Sequence, residues 1–269
     1  MSQPDPVDLL ETEWRVLTEL GESLADHEWE LATDLPGWCV KDLFSHITGT
    51  ESVLVGVPLP DHEPPAADYV KNPLGQFNEI NVDVRRGRSG REILAELAEV
   101  MPQRLEQLRE FSEDKWEEIT DTFIGRRTQR NFVRVRLFDW WGHEQDIRRA
   151  THRFGHLEGP IPVNFRDILI GALGFVVAKK AGAAEASRVR FVITPPNPAD
   201  VTIGVVNGRG GPVDAVGHPD ATIAADFEAF TLAGGGRRPP QQLLEEGRIR
   251  VEGDTQLGLA VVGSLNITP

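Results

Sequence analysis

The chain has 269 residues, of which 40% are hydrophobic and 26% charged, values that are typical of globular proteins and exclude the disordered and fibrous classes. The formal net charge of −14 argues against nonspecific binding to nucleic acid or anionic membranes, because both surfaces would repel the chain as a whole. The single cysteine, Cys39, excludes an intrachain disulfide framework and is compatible with a reducing cytoplasm.

The N-terminal stretch MSQPDPVDLL shows no basic region followed by an apolar one, and we expect no segment long enough to span a bilayer. The sequence therefore predicts a cytoplasmic protein without a nucleic-acid or membrane partner. We expect a monomer or a small homo-oligomer.

The first half of the chain predicts a helical bundle, because apolar residues recur at steps of three or four along several segments. Prolines between residues 57 and 75 predict a loop, and Ser89 with Glu92 predicts an N-cap and capping box for the helix that follows. The stretch 112–129 is less regular. Helices are predicted at residues 7–26, 40–56, 76–86, 91–111 and 131 to about 151.

The second half changes character, because β-branched residues cluster or alternate in short segments separated by turns. Strands are predicted at 187–194, 199–206, within 215–226 and at 248–254, and helices at 164–183, 226–235, 239–247 and 254–265. The predicted fold class is α+β with two domains, a helical bundle at residues 1–160 and a small α+β domain at residues 161–269.

The apolar segment NFVRVRLFDWWGHEQDIRRA, residues 131–150, carries two groups of the kind that bind metals. Asp139 and His143 lie four residues apart, so on a helix their side chains share one face and can reach a common point. Their apolar neighbours make an unsatisfied polar group costly, and either a hydrogen bond or a metal would satisfy it. Both interpretations stay open on this pair alone, since a hydrogen-bonded core histidine is the commoner case.

His46 is a candidate third ligand on the second predicted helix, where it lies on or beside the apolar stripe. Taken alone it is an ordinary boundary histidine. Facing helices of a bundle commonly build metal sites, however, so His46, Asp139 and His143 could converge in the core. Two histidines and one carboxylate suit zinc, iron or nickel, and three protein ligands leave positions open for water or substrate.

Three stretches resemble the mycothiol-dependent maleylpyruvate isomerase family, within the wider DinB-like superfamily. LPGWCVKDLFSHITGTE, residues 35–51, is similar to the family's N-terminal signature. FDWWGHEQDIRRA, residues 138–150, is similar to its second signature, an acid and a histidine four apart followed by Asp-Ile-Arg. Residues 218–262 resemble the sterol-carrier-like C-terminal domain that is often attached to it.

The resemblance implies a DinB-like four-helix bundle that holds a divalent metal, usually zinc, on His46, Asp139 and His143. It also implies mycothiol, a low-molecular-weight thiol of actinobacteria, as the thiol cosubstrate. The founding isomerase has Glu at the acidic position, so Asp139 is one methylene shorter. The shorter side chain argues against maleylpyruvate isomerisation as the reaction more than it argues against metal binding.

Other polar residues near these signatures are candidates for roles beside the metal. Asn78 and Arg85 precede the capping box and are candidate catalytic residues, with Arg85 binding a substrate carboxylate bidentately. Arg148 is a candidate cofactor-binding residue, and a solvated helix face is the alternative for both arginines. Glu144 and Asp146 point away from the face of Asp139 and are predicted to be surface, cap or salt-bridge groups.

The expected chemistry follows from the ligands. A metal with an open position lowers the pKa of a bound thiol, and the thiolate is the effective nucleophile. Because Cys39 is predicted to be packed, the sulfur would arrive on a cofactor. We expect a metal-dependent enzyme that isomerises or S-conjugates a small electrophile. Two alternatives stay open: a metal- and ligand-binding protein of the DinB-like superfamily without turnover, and a bundle in which His46 is simply packed.

Overall fold

The computed structural model describes residues 4–215 and 217–267 and divides the chain into two compact units, residues 1–155 and 156–269. Residues 1–3 of the N-terminal stretch and residue 216, within the predicted strand segment 215–226, lie outside the described residues.

The first unit is built mainly of helices. They are α1 (Pro6–Glu22), α2 (Val40–Leu54), α3 (Pro73–Asp83), α4 (Gly90–Arg109), α5 (Glu113–Glu117) and α6 (Gln129–Ala150). The long helices α1, α2, α4 and α6 pack on one another around a shared apolar core, and α3 lies against α2. The predicted helical bundle is therefore confirmed.

Capping residues explain where two of these helices begin. The Ser89 backbone N–H donates to Glu92 Oε2 at 2.8 Å and the Glu92 N–H donates to Ser89 Oγ at 3.3 Å, which is the predicted capping box of α4. The predicted loop to residue 75 is too long, because Pro73 opens α3 instead. Proline has no N–H to lose at a first helical position, and Asn72 Oδ1 caps the helix by accepting from the Gly75 N–H at 2.8 Å.

The irregular stretch 112–129 contains α5 and a small hairpin that the sequence did not predict. Its strands are β1 (Ile119–Thr122) and β2 (Gly125–Thr128), paired antiparallel. The hairpin leads directly into α6, whose first turn is capped by Thr128 Oγ1 accepting from the Asn131 N–H at 3.2 Å. This junction fixes the start of the helix that carries Asp139 and His143.

The second unit is an α+β domain, as predicted. Its helices are α7 (Pro160–Phe175), α8 (Phe227–Gly234), α9 (Pro240–Glu245) and α10 (Thr255–Val262), and its strands are β3 (Arg188–Thr194), β4 (Ala199–Val206), β5 (Arg209–Val213), β6 (Ala221–Asp226) and β7 (Ile249–Gly253). Within the described residues the strands form one sheet in the order β5-β4-β3-β6-β7, in which β3 and β6 run parallel and the other pairs antiparallel.

The helix that opens this domain corrects one expectation. Residues Pro160–Lys180, α7 and the π-helical turn after it, form a continuous run of 21 residues. Within it, 18 consecutive residues have a mean hydropathy of 1.6, so the run is long and apolar enough to cross a membrane by length and composition. Half of those 18 residues are buried within the protein, and core helices of soluble proteins can be equally long and apolar. The expectation of no segment long enough to span a bilayer was therefore wrong. The helix starts four residues before the predicted 164 and so gains the apolar Ile161 and Val163 ahead of its charged residues.

Candidate metal centre

Two of the predicted ligands lie one turn apart on α6. His143 Nε2 lies 3.4 Å from Asp139 Oδ1, as the four-residue spacing requires. Half of the residues of α6 are buried; His143 is among them, whereas Asp139 is only partly buried.

His46 completes the group from α2. This helix is buried at every residue from Val40 to Ser52, so it runs through the middle of the bundle and places His46 directly opposite α6. His46 Nε2 lies 3.0 Å from Asp139 Oδ2, and the two imidazole rings meet edge to face with centroids 5.0 Å apart. One ligand-type atom from each of the three residues lies within 4.8 Å of the others.

The donor set and its surroundings fit a divalent metal. Two imidazole nitrogens and a carboxylate oxygen are ligands that zinc accepts, and three protein ligands leave coordination positions open. The histidine side chains are almost fully buried, at 4% and 7% exposure, whereas that of Asp139 keeps 29%. The group is therefore closed on the histidine side and open beside Asp139, where a small molecule could approach.

Charges set the protonation of the three residues. Burial by itself would raise the pKa of Asp139, but the neighbouring His46, His143 and Arg136 hold that pKa well below its usual range. Burial lowers the pKa of His46, whereas Asp139 and Asp146 outweigh burial at His143 and raise its pKa. Because a metal binds only the neutral ring and the raised pKa favours the protonated one, metal affinity is expected to fall with falling pH.

A buried ion-pair network supports Asp139 from inside the bundle. Arg136 donates from Nη1 to Asp139 Oδ2 at 2.9 Å and from Nε to Glu51 Oε1 at 2.9 Å. Glu51, with no exposed surface, also accepts from Arg104 Nε at 3.2 Å and Trp140 Nε1 at 3.3 Å. Sequence reasoning missed these residues. The available signal was the presence of charged residues on helix faces that are otherwise apolar.

An aromatic side chain forms another wall of the group. The Trp38 ring lies 5.4 Å from the His46 ring and 6.3 Å from that of His143. Its Nε1 donates to Glu79 Oε2 at 2.9 Å, and the Tyr69 hydroxyl donates to the other oxygen of the same carboxylate at 3.0 Å. The proline-rich loop that contains Tyr69 is thus tied to the residue that flanks both histidines.

The remaining predicted site residues are placed differently. Arg85 is buried, donates to both carboxylate oxygens of Glu96 at 2.7 and 3.2 Å, and donates to the Asn81 carbonyl at 2.8 Å. Arg148 Nε donates to Glu144 Oε1 at 2.5 Å. Neither arginine lies on a solvated face, and no described contact joins either one to the three ligands. Asn78 lies half-buried on α3.

The prediction that Glu144 and Asp146 lie at the surface was wrong. Both side chains are completely buried. Because α6 is enclosed on several sides, its second face is also interior, and each acid forms an ion pair with an arginine, Glu144 with Arg148 and Asp146 with Arg149. The salt-bridge part of the prediction is confirmed.

Fold and site together define a two-domain protein: a helical bundle with a histidine–carboxylate centre, followed by an α+β domain. The family model described as the mycothiol maleylpyruvate isomerase N-terminal domain matches residues 10–148, just over half of the chain, and the corresponding C-terminal domain model matches residues 166–260. The chain belongs to the mycothiol-dependent maleylpyruvate isomerase family.

Solved structures agree on the fold. The crystal structure of a mycothiol-dependent maleylpyruvate isomerase matches with a TM-score of 0.58 and 15% identity over 88% of this chain and 90% of that one. A point mutant of a mycothiol-dependent maleylpyruvate isomerase matches with a TM-score of 0.59 and 14% identity over 94% and 93% of the two chains. At these identities the likeness establishes the shared fold. No curated protein matches the chain.

The sterol-carrier-like character of the C-terminal domain stays a prediction. Sterol carrier protein 2 from Yarrowia lipolytica matches 38% of this chain and 88% of that one with 16% identity, but its TM-score of 0.29 is too low to support an argument.

Proposed function

We propose that the protein is a metal-dependent enzyme that uses mycothiol to isomerise or S-conjugate a small electrophilic substrate. The observation that carries the proposal is the convergence of His46, Asp139 and His143 within 4.8 Å, with solvent access on the Asp139 side. Family membership supports mycothiol as the thiol, since the matching family and solved structures are described as mycothiol-dependent isomerases.

The metal would be held by His46 Nε2, His143 Nε2 and a carboxylate oxygen of Asp139, and zinc is the first candidate. When bound, such a metal supplies a positive charge that lowers the pKa of a cofactor thiol toward neutrality. The protein's own thiol is unsuited to the task, because burial and then the charge of Asp42 raise the pKa of Cys39 to about 11. The reacting sulfur is therefore that of the cosubstrate.

Isomerisation and S-conjugation share a first step, addition of the thiolate to the double bond. The thiolate sulfur forms a bond to one carbon of an activated double bond, and the π electrons move onto the neighbouring carbonyl oxygen as an enolate. Rotation about the carbon–carbon bond that was the double bond, followed by return of the enolate electrons and expulsion of the thiolate, gives the cis–trans isomer. Protonation of the enolate carbon instead leaves the S-conjugate.

Asn78, Arg85 and Arg148 stay proposals as residues that contact substrate or thiol. For Arg85 the proposal requires that a substrate carboxylate replace Glu96, which now occupies the guanidinium bidentately. For Arg148 it requires a similar release from Glu144.

Turnover by the zinc-loaded protein tests the proposal. Maleylpyruvate and a panel of other electrophilic alkenes are incubated with protein and mycothiol, and isomers and thioethers are separated by chromatography. We expect product that depends on mycothiol and is lost in His46→Ala. His62→Ala, which removes a histidine bonded to Asp83 instead of to the ligand group, should retain it. Product formation that is indifferent to mycothiol, or to His46, would contradict the proposal.

A second candidate is a metal- and ligand-binding protein without turnover. It is favoured by the engagement of both Arg85 and Arg148 in ion pairs, which leaves them unready to bind an anionic substrate. Stoichiometric binding of mycothiol to the metal-loaded protein, with no product from any acceptor in the panel, would favour a binding protein over an enzyme.

A further inference from the structure

The two histidines of the candidate centre differ at the nitrogen that faces away from Asp139. His143 Nδ1 lies 3.2 Å from Asp146 Oδ2. His46 Nδ1 is also buried, but no described residue offers it a hydrogen bond. One ligand ring is therefore held by a second side chain and the other is not.

Asp146 is placed to act on the His143 ring. It has no exposed surface, lies one turn further along α6, and its Oδ1 accepts from Arg149 Nη2 at 2.5 Å. Arg149 is held in turn by its Nε, which donates to Asp34 Oδ2 at 2.6 Å. The order His143, Asp146, Arg149, Asp34 runs from the centre of the bundle toward its surface.

Donor and acceptor rules, together with the distances, favour one tautomer of His143. A guanidinium only donates, and a carboxylate paired with it only accepts. Asp146 Oδ2 can therefore only accept from His143, and at 3.2 Å it is the nearer of the two carboxylate oxygens that face the ring, so the single proton of a neutral His143 is favoured on Nδ1. Nε2 faces a second carboxylate oxygen, Asp139 Oδ1, but at the longer distance of 3.4 Å, and a metal bound between these two atoms would take the Nε2 lone pair.

We propose that Asp146 is a positioning residue: oriented by Arg149, it holds His143 in the Nδ1–H tautomer and so keeps Nε2 available as a metal ligand. The presence of a metal rests on the proposed function. The Nδ1–H tautomer of His143 is expected in the metal-free protein as well. Carboxylates in this relation to a ligand histidine typically change metal affinity about 10- to 100-fold.

Asp146→Asn is the informative substitution because it preserves shape. Arg149 requires an acceptor, so it should draw the amide oxygen to itself and turn the amide NH₂ toward His143. Facing a donor, His143 Nδ1 must become the acceptor, and the proton moves to Nε2. We expect the tautomer to invert and zinc affinity to fall about 10- to 100-fold.

Removing Arg149 as well provides a rescue. In the double variant Asp146→Asn with Arg149→Met, nothing from Arg149 fixes the amide, so it can rotate and present its oxygen to His143. We expect the double variant to bind zinc more tightly than Asp146→Asn alone. If Asp146 only stabilised the fold, the second substitution would weaken binding further.

Two measurements test the proposal. Zinc affinity is measured by competition with a chromogenic chelator for wild type, Asp146→Asn, Arg149→Met and the double variant. Long-range ¹H–¹⁵N NMR on metal-free protein, at a pH high enough to keep the imidazole neutral, reports the His143 tautomer directly, with its signals assigned by their loss in His143→Gln.

The NMR result separates this inference from the proposed function. An Nδ1–H tautomer in wild type that inverts in Asp146→Asn supports the inference even if no zinc binds, in which case the proposed function alone fails. An Nε2–H tautomer in metal-free wild type would overturn the inference, and that measurement does not require any variant to fold. Wild-type zinc affinity in a folded Asp146→Asn variant, or no gain in the double variant, would also overturn it.

Discussion

Cys39 is a thiol whose surroundings suppress its reactivity. It is half-buried at the start of α2, and burial followed by the nearby carboxylates Asp42 and Glu30 raises its pKa from 9.0 to about 11. Since only the thiolate reacts, its population at neutral pH should be about 100-fold smaller than for an unperturbed cysteine.

We therefore expect slow modification of Cys39 in the native protein and fast modification after denaturation, measured as the rate of reaction with an aromatic disulfide at neutral pH. Cys39→Ser should keep any mycothiol-dependent turnover. Equal rates in native and unfolded protein, or loss of turnover in Cys39→Ser, would show that this thiol is activated and takes part in the chemistry.

The residues of the centre were predictable to different degrees. Asp139 and His143 follow from local spacing on one helix, and His46 needed the additional premise that two helices face each other. Glu51 and Arg136 could not be predicted, because their pairing joins residues 85 positions apart and depends on how α2 and α6 are rotated. The roles of Arg85, Arg148 and Asn78 stay predictions.

The helices α1 and α6 meet through a pair of buried acids. Glu13 on α1 and Glu144 on α6 have no exposed surface, and burial, followed by the charge of Glu144, raises the pKa of Glu13 well above its usual value. Folded protein therefore binds more protons here than unfolded protein, and this group makes stability fall as pH rises from the unfolded pKa toward the folded one.

Glu13→Gln removes that dependence. We expect its free energy of unfolding, measured with urea at a series of pH values, to improve relative to wild type as pH rises from about 4.5 toward neutrality. Glu19→Gln, which changes an exposed acid on the same helix, serves as the control and should follow wild type. A difference between Glu13→Gln and wild type that stays constant with pH would contradict the raised pKa.

In the α+β domain, the backbones of α7 and β5 approach each other closely at Gly174 and Gly210. A Cβ built on Gly210 would lie 2.1 Å from the Gly174 carbonyl oxygen, whereas a Cβ on the adjacent Gly211 meets nothing within 4 Å. We expect Gly210→Ala to lower the free energy of unfolding by about 1–3 kcal/mol or more, because neither backbone can yield without moving its element.

Gly211→Ala is the matched control, one residue away on the same strand. Its effect should stay within about 0.5 kcal/mol, as for an open surface position. Urea midpoints measure both variants. Equal midpoints for Gly210→Ala and Gly211→Ala would mean that α7 and β5 are not in such close contact.

The elements themselves were predictable where they carry a strong pattern. The segments of α1, α2, α4 and α6 show apolar residues at helical steps, and β3 and β4 are rich in β-branched residues. β5 was missed because its sequence RGGPV has little strand propensity of its own and pairs only because β4 lies beside it. Whether such an edge strand forms depends on tertiary contacts and not on local sequence.

The order of the predicted elements along the chain indicated a helical bundle followed by an α+β domain, and both domains are present. The exact boundary at residues 160 and 161, a cytoplasmic location, the oligomeric state and the absence of a membrane or nucleic-acid partner stay predictions. They depend on surfaces and surroundings that periodicity does not report.

We propose that the bundle holds one metal ion on His46, Asp139 and His143. Elemental analysis of untagged protein, purified and then incubated with zinc, tests it most directly. We expect close to one zinc per chain in wild type and in the control His62→Ala, and almost none in folded Asp139→Ala and His143→Ala. Wild type without bound metal after incubation, or variants that keep the full amount, would contradict the account.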